Sequence, residues 1–125
     1  MDSRKTTGNE GESLAAQWLT EQGHTVLARN WRAGHLELDI ITAAPDGVHF
    51  VEVKTRRPPY QAEPQDCVTV PKQKKLASAA NAWLNTSKPA NIVDAECHFD
   101  IVAIVMDKNQ TRIQYFPDAF YPFYL

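Results

Sequence analysis

Two short segments carry acidic side chains at a spacing that could hold a hard cation. Leu36-Glu37-Leu38-Asp39-Ile40-Ile41 and Phe50-Val51-Glu52-Val53-Lys54-Thr55 alternate charged and apolar residues, and Pro45-Asp46-Gly47 between them is a turn signal. In a strand, residues two apart share a face. A hairpin on that turn would set Asp39 near Glu52 and Glu37 near Lys54. Like charges opposed across strands destabilise the pair, so the arrangement asks for a compensating partner, and a divalent cation supplies one. Mg2+ (or Mn2+) takes oxygen ligands, keeps several waters, and needs only one or two carboxylates besides a substrate phosphate. Asp39 and Glu52 are the expected ligands, with the Val53 carbonyl as a further oxygen. Lys54, one side-chain step from Glu52, is placed to orient an attacking water or to hold the extra charge of a pentavalent phosphate. Glu37 also has a plainer reading, as a solvent-facing residue or an ion-pair partner of Lys54.

The flanking pattern supplies elements to position these groups. Asn9-Glu10-Gly11-Glu12 has capping-box spacing, and Leu14, Ala15, Trp18 and Leu19 then follow a helical period up to Gly23. Residues 1–8 read as a flexible N-terminal tail and residues 9–125 as one domain. A first strand covers 24–30, and the hairpin covers roughly 36–43 and 48–56. Leu36, Leu38 and Ile40, with Val51 and Val53, make one apolar face for helices to cover. Arg56 to Val70, with Tyr60 and three prolines, reads as a long loop of the kind that serves as a lid. Pro71 suits a helix first turn, and Leu76, Ala79, Ala80, Trp83 and Leu84 form an amphipathic stripe. Strands are expected over 97–106 and 111–116, followed by an aromatic tail that packs back on the body or on a second subunit. The order α-β-β-β-α-β-β implies an α/β fold, a central mixed sheet flanked by helices.

Lys72 precedes Leu76 by four residues, so it projects along the stripe toward the sheet edge, where it could reach the carboxylates or a phosphate. Gln73 beside it could add a hydrogen bond, and the helix start itself favours an anion. Arg29, Arg32, Lys54, Arg56, Arg57, Lys74 and Lys75 add basic charge around the same elements, interleaved with Trp31 and Tyr60. The chain has 125 residues and a net charge of −2, so nucleic acid would have to be held by a local basic patch rather than bulk charge. A chain this long buries roughly two-thirds of its unfolded surface and needs no disulfide or structural metal. Cys67 and Cys97 have no CxxC neighbour and read as thiols of a reducing compartment. No signal peptide and no bilayer-length apolar run is evident, so a cytoplasmic protein without a membrane partner is expected. His24, His35, His49 and His98 lack metal-ligand spacing and read as surface or packing residues. Asp100 reads equally as a hydrogen-bonding residue at the core edge or as a site residue.

Taken together, Gly11-Glu12, Glu37-Leu38-Asp39-Ile40-Ile41, Phe50-Val51-Glu52-Val53-Lys54-Thr55-Arg56, Lys72 and Phe99-Asp100-Ile101-Val102-Ala103 resemble the bacterial YraN-like family. That family belongs to the PD-(D/E)xK nuclease superfamily and is similar to archaeal Holliday-junction resolvases. The resemblance runs from about Gly8 to Phe120. It implies a restriction-endonuclease-like fold and Mg2+-dependent hydrolysis of phosphodiesters in nucleic acid, DNA by preference and branched DNA in particular. It also implies roles: Asp39 and Glu52 as metal ligands, Lys54 as catalytic lysine, and Glu37 and Glu12 as assisting acids. Arg32, Arg56, Arg57, Lys72, Gln73 and Lys75 are the expected nucleic-acid contacts, and a homodimer would supply the two sites a two-fold junction needs. The chain departs from the family at His35-Leu36, where glycine is usual, which bears on how closely a strand can approach. Three rivals stand beside this reading: a non-catalytic nucleic-acid-binding module, an RNA-directed nuclease on the same fold, and an adaptor using the aromatic tail.

Overall fold

The computed structural model describes residues 3–59, 68–92 and 96–122, with side chains from residue 8 onward. Helix α1 (Ser3–Glu21) leads into strands β1 (Thr25–Ala33), β2 (Leu36–Ala44) and β3 (Gly47–Arg56). Helix α2 (Val70–Thr86) and strands β4 (Cys97–Met106) and β5 (Thr111–Phe116) complete the order. One five-stranded sheet runs β1-β2-β3-β4-β5. Its pairs are antiparallel except β3–β4, which is parallel. A parallel pair needs a long crossover, and the segment containing α2 provides it. The fold is therefore α/β with a mixed sheet flanked by helices, consistent with a restriction-endonuclease-like fold.

Each helix covers one face. Ala15, Ala16 and Leu19 of α1 pack on Ile40, Val51, Val102 and Ile104. Leu76, Ala79, Ala80 and Trp83 of α2 pack on Leu38, Ile41, Phe50, Phe99 and Ile101. Strand β4, buried from Phe99 to Met106, is an interior strand covered by both layers.

Two sequence expectations change. Helix α1 starts at Ser3 rather than Asn9, so Asn9 and Glu12 lie inside it and no capping box is used. Residues 3–8 hold no proline, and a helical glycine such as Gly8 costs only about 1 kcal/mol relative to alanine. The apolar residues of the hairpin do not share one face. Leu36 and Leu38 join the α2 cluster, while Ile40, Val51 and Val53 lie under α1. The aromatic tail packs back on the body through Phe120, whose ring lies 5.6 Å from that of Phe99, with the Ala119 amide on the Phe99 carbonyl at 2.8 Å. Phe123, Tyr124, Tyr60, Pro64 and Cys67 lie outside the described residues, as does most of the expected lid. Among the described residues, no helix is long and apolar enough to cross a membrane.

Candidate active site

Strands β2 and β3 pair from Ala44↔Gly47 as far as Ile40↔Val51. The next pair in that register would be Asp39 and Glu52. There the Asp39 carboxylate accepts the Val53 amide on Oδ2 at 2.9 Å. A side-chain oxygen thus takes the place of a main-chain carbonyl. It is also the point where Leu38 and Ile40 fall to opposite faces. Asp39 consequently stands between the two layers, within electrostatic reach of groups from both.

Glu52 is 7% exposed and points to the α2 side. Lys54 Nζ lies 3.6 Å and Lys72 Nζ 3.8 Å from the same Glu52 Oε1. Lys54 comes from two positions along β3. Lys72 comes from the first turn of α2, where the Thr69 hydroxyl accepts its amide at 3.4 Å and Pro71 fills the opening turn. Burial pushes the Glu52 carboxyl up, and the charge of Asp39 adds to it, reaching about 7 against the pull of Lys72 and Lys54. Asp39 is raised too, first by burial, with Glu37 adding and the Val53 N–H, Lys72 and Lys54 opposing.

Glu12 reaches the same corner from the α1 face. A Cβ on Gly11 would collide with Thr55 Oγ1 of β3, so glycine is what lets this turn of α1 settle on the sheet. The Glu12 carboxyl is raised by burial and by Asp39, against a hydrogen bond from the Asn30 side chain and the charge of Arg29. Its Oε2 is buried without a hydrogen-bond partner. An unsatisfied buried acceptor costs about 1–3 kcal/mol, so this oxygen has a use for a proton or a cation.

Glu37 does not meet Lys54. It faces Arg32 on β1, with Oε1 3.5 Å from Arg32 Nη2 at the exposed end of the sheet. The hairpin has already parted at this level, and the Lys54 ammonium is turned toward Glu52. Arg56 donates to the Thr55 carbonyl at 3.2 Å, and Arg57 and Lys75 are exposed. Gln73 donates its amide to the Val68 carbonyl at 3.1 Å, which ties it to the start of its own helix.

A different cluster escaped the sequence reading. Asp46, His49 and His98 place one ligand atom each within 4.8 Å of one another, and the group could hold a metal ion. The two histidines are far apart in sequence, and only the parallel register His49↔His98 brings them together. Asp100, fully buried, is the hydrogen-bonding hub behind them rather than part of the acidic corner. His35 is exposed.

A profile of the family described as "Uncharacterised protein family UPF0102" matches residues 11–104, a span that holds Glu12, Asp39, Glu52, Lys54 and Lys72. A UPF0102 protein of Nitratidesulfovibrio vulgaris (strain DP4) is 42% identical over 120 residues, covering 96% of this chain and 87% of that protein. A UPF0102 protein of Bacteroides thetaiotaomicron is 36% identical over 122 residues, covering 98% of both. One from Chloroherpeton thalassium is 39% identical over 110 residues, covering 88% of this chain and 83% of its own. With matches of this extent, the chain belongs to the UPF0102 family, the YraN-like family that its motifs resemble.

Proposed function

We propose that the protein is a metal-dependent endonuclease acting on nucleic acid, DNA in particular, in the cytoplasm. The observation that carries this reading is the meeting of Asp39 and Glu52 where the hairpin parts, with both Lys54 and Lys72 on one Glu52 oxygen. The donor set fits Mg2+ (or Mn2+): three carboxylates at one corner, all raised, one with an orphaned oxygen. One or two carboxylates suffice for an ion that keeps several waters. Asp39 and Glu52 would hold it and Glu12 would assist. When bound, it would supply Lewis acidity and neutralise charge at the phosphate.

The chain's own groups do the rest. Lys54, largely buried, and Lys72, nearly half exposed, carry positive charge to this corner, where it favours the more negative transition state over the ground-state diester. The fixed Lys54 ammonium also orients the incoming water by donating to it. Arg32, Arg56 and the α2 start hold flanking phosphates without reading sequence. A second copy of the chain would present the paired sites a branched, two-fold substrate needs.

The test incubates the protein with linear, single-stranded, flapped and four-way DNA and with RNA, in Mg2+ or Mn2+, beside Lys54→Ala and Asp39→Asn. Metal-dependent internal cuts that both variants lose support the reading. Cuts unchanged in Lys54→Ala, or binding without cleavage under every condition, overturn it. Cleavage confined to RNA replaces the DNA assignment.

A further inference from the structure

We propose that Asp46, His49 and His98 form a second metal site, of the Zn2+ class, that pins the β2–β3 turn to the start of β4. His49 Nδ1 lies 2.6 Å from Asp100 Oδ2, and His98 Nδ1 lies 2.8 Å from Asp118 Oδ1. An ionised carboxylate only accepts, so each Nδ1 carries a proton. The other nitrogen of each ring also faces acceptors alone. His49 Nε2 is 2.7 Å from Asp46 Oδ1. His98 Nε2 is 3.0 Å from the Asp46 carbonyl, 3.8 Å from Asp46 Oδ2 and 3.7 Å from Glu96 Oε2. The two rings stack, with centroids 4.5 Å apart and planes 14° from parallel.

Two charge states are open to this group: one satisfies the contacts by protonation alone, the other needs an ion between the acceptors. In one, both rings are imidazolium cations lying face to face. In the other, each ring is neutral, donates from Nδ1 to its carboxylate and offers the Nε2 lone pair to one shared cation beside Asp46. The second removes the repulsion between the rings. It also reproduces the arrangement in which a carboxylate fixes the tautomer and direction of a metal-bound histidine. Asp100 is held firmly enough to orient His49 in this way, being fully buried and accepting the Tyr115 hydroxyl at 2.6 Å and the Asp118 amide at 2.8 Å.

Two imidazoles and a carboxylate suit Zn2+ and its neighbours far better than Mg2+. Glu96 or a water would complete four-coordination. The backbone is shaped to bring these groups together. Gly47 has φ of 133°, a Cβ there would collide with the Glu96 carbonyl, and the Val48 amide bonds that carbonyl at 2.8 Å. An ion would add a tie between the turn and β4. The site is separate from the acidic corner, because His49 shares a face with Val51 under α1 while Glu52 points to α2.

The experiment titrates ZnCl2 into metal-free protein carrying Asp39→Asn and Glu52→Gln, so that the acidic corner cannot contribute. Calorimetry at neutral pH is paired with 1H–15N spectra of the imidazoles. One saturable site of micromolar affinity or tighter is expected, with a raised thermal midpoint and Nε2 of both rings deprotonated at saturation. Asp46→Ala, in an exposed turn, and His98→Gln should each weaken binding at least tenfold, and millimolar Mg2+ should not compete. Absence of saturable binding, affinity indifferent to both substitutions, or rings still doubly protonated in excess Zn2+ would overturn the proposal.

Discussion

Asp39 and Glu52 put two negative charges where little water can reach, and metal-free protein should be less stable for it. The ordinary Glu52 value of 4.5 rises to about 7 in the fold. Between those values the folded protein binds more protons than the unfolded chain, so stability falls as pH rises through that window. Asp39→Asn should reverse part of the fall, burial being the larger cause and remaining in place. Asparagine Oδ1 can still accept the Val53 amide, while the charge that raises Glu52 is gone. In metal-free buffer at pH 8 the variant should be more stable than the parent by on the order of 1 kcal/mol, and the difference should shrink as pH falls. Thermal melts across pH, with and without Mg2+, measure this; a parent-like pH slope in the variant would count against the pairing of these acids. Mg2+ should raise the thermal midpoint of the parent and leave that of the same variant unchanged. Lys54→Ala belongs to the same scale. It removes the ammonium closest to Glu52, so the fold should lose some stability above pH 7, and the proposed cleavage should slow by about a hundredfold or more.

At the scale of elements, the corner depends on how closely α1 and α2 approach the sheet. Gly11 gives a test with an inverted sign. Alanine in a helix is normally favoured over glycine by about 1 kcal/mol, yet Gly11→Ala should destabilise by about 1–3 kcal/mol, because the new methyl meets Thr55. Thr55→Ala in the same chain should recover most of the loss in chemical denaturation. On the other face, Trp83 stands edge-on to Phe50 at 5.8 Å and anchors the helix that delivers Lys72. Trp83→Ala should cost about 3–5 kcal/mol. These elements were legible because their apolar spacing is regular: Leu76, Ala79, Ala80 and Trp83 are the buried residues of α2. Lys72 could be placed toward the carboxylates or a phosphate from its phase on that stripe alone. Other features have no periodic signature. The start of α1 depends on the absence of a strong stop signal between Ser3 and Asn9. The break in β2 depends on a carboxylate replacing a carbonyl at Asp39, which alternation cannot foresee. His49 and His98 meet only because β3 and β4 run parallel in one register, and residue spacing carries no record of register between distant strands.

Over the whole molecule, charge is sorted by position although the sum is only −2. Arg32 ends β1, Lys54 and Arg56 end β3, and Lys72 and Lys75 open α2, all at the end of the sheet where the hairpin parts. Asp46, Glu96 and Asp118 gather at the other end, around the histidines. Four acids share the first end, with Glu37 on Arg32 and Glu52 on Lys54 and Lys72, so a phosphate backbone would be drawn there most strongly once a cation offsets them. Binding of duplex DNA by the Asp39→Asn protein in metal-free buffer, followed by fluorescence anisotropy, should weaken steeply with salt. Each phosphate neutralised contributes about −0.9 to the slope of log K against log salt, so contacts by four of these residues give a slope of about −3.6. Removing Arg32 and Arg56 together should reduce that slope by about 2 and weaken all DNA sequences alike, because phosphate contacts carry no sequence information. Neutralising Asp46 and Glu96 should change neither, since charges separated by more than about 8 Å are largely screened at physiological salt. A slope near zero in the intact protein, or a loss specific to one sequence in the double variant, would show that this end of the sheet is not the surface that receives nucleic acid.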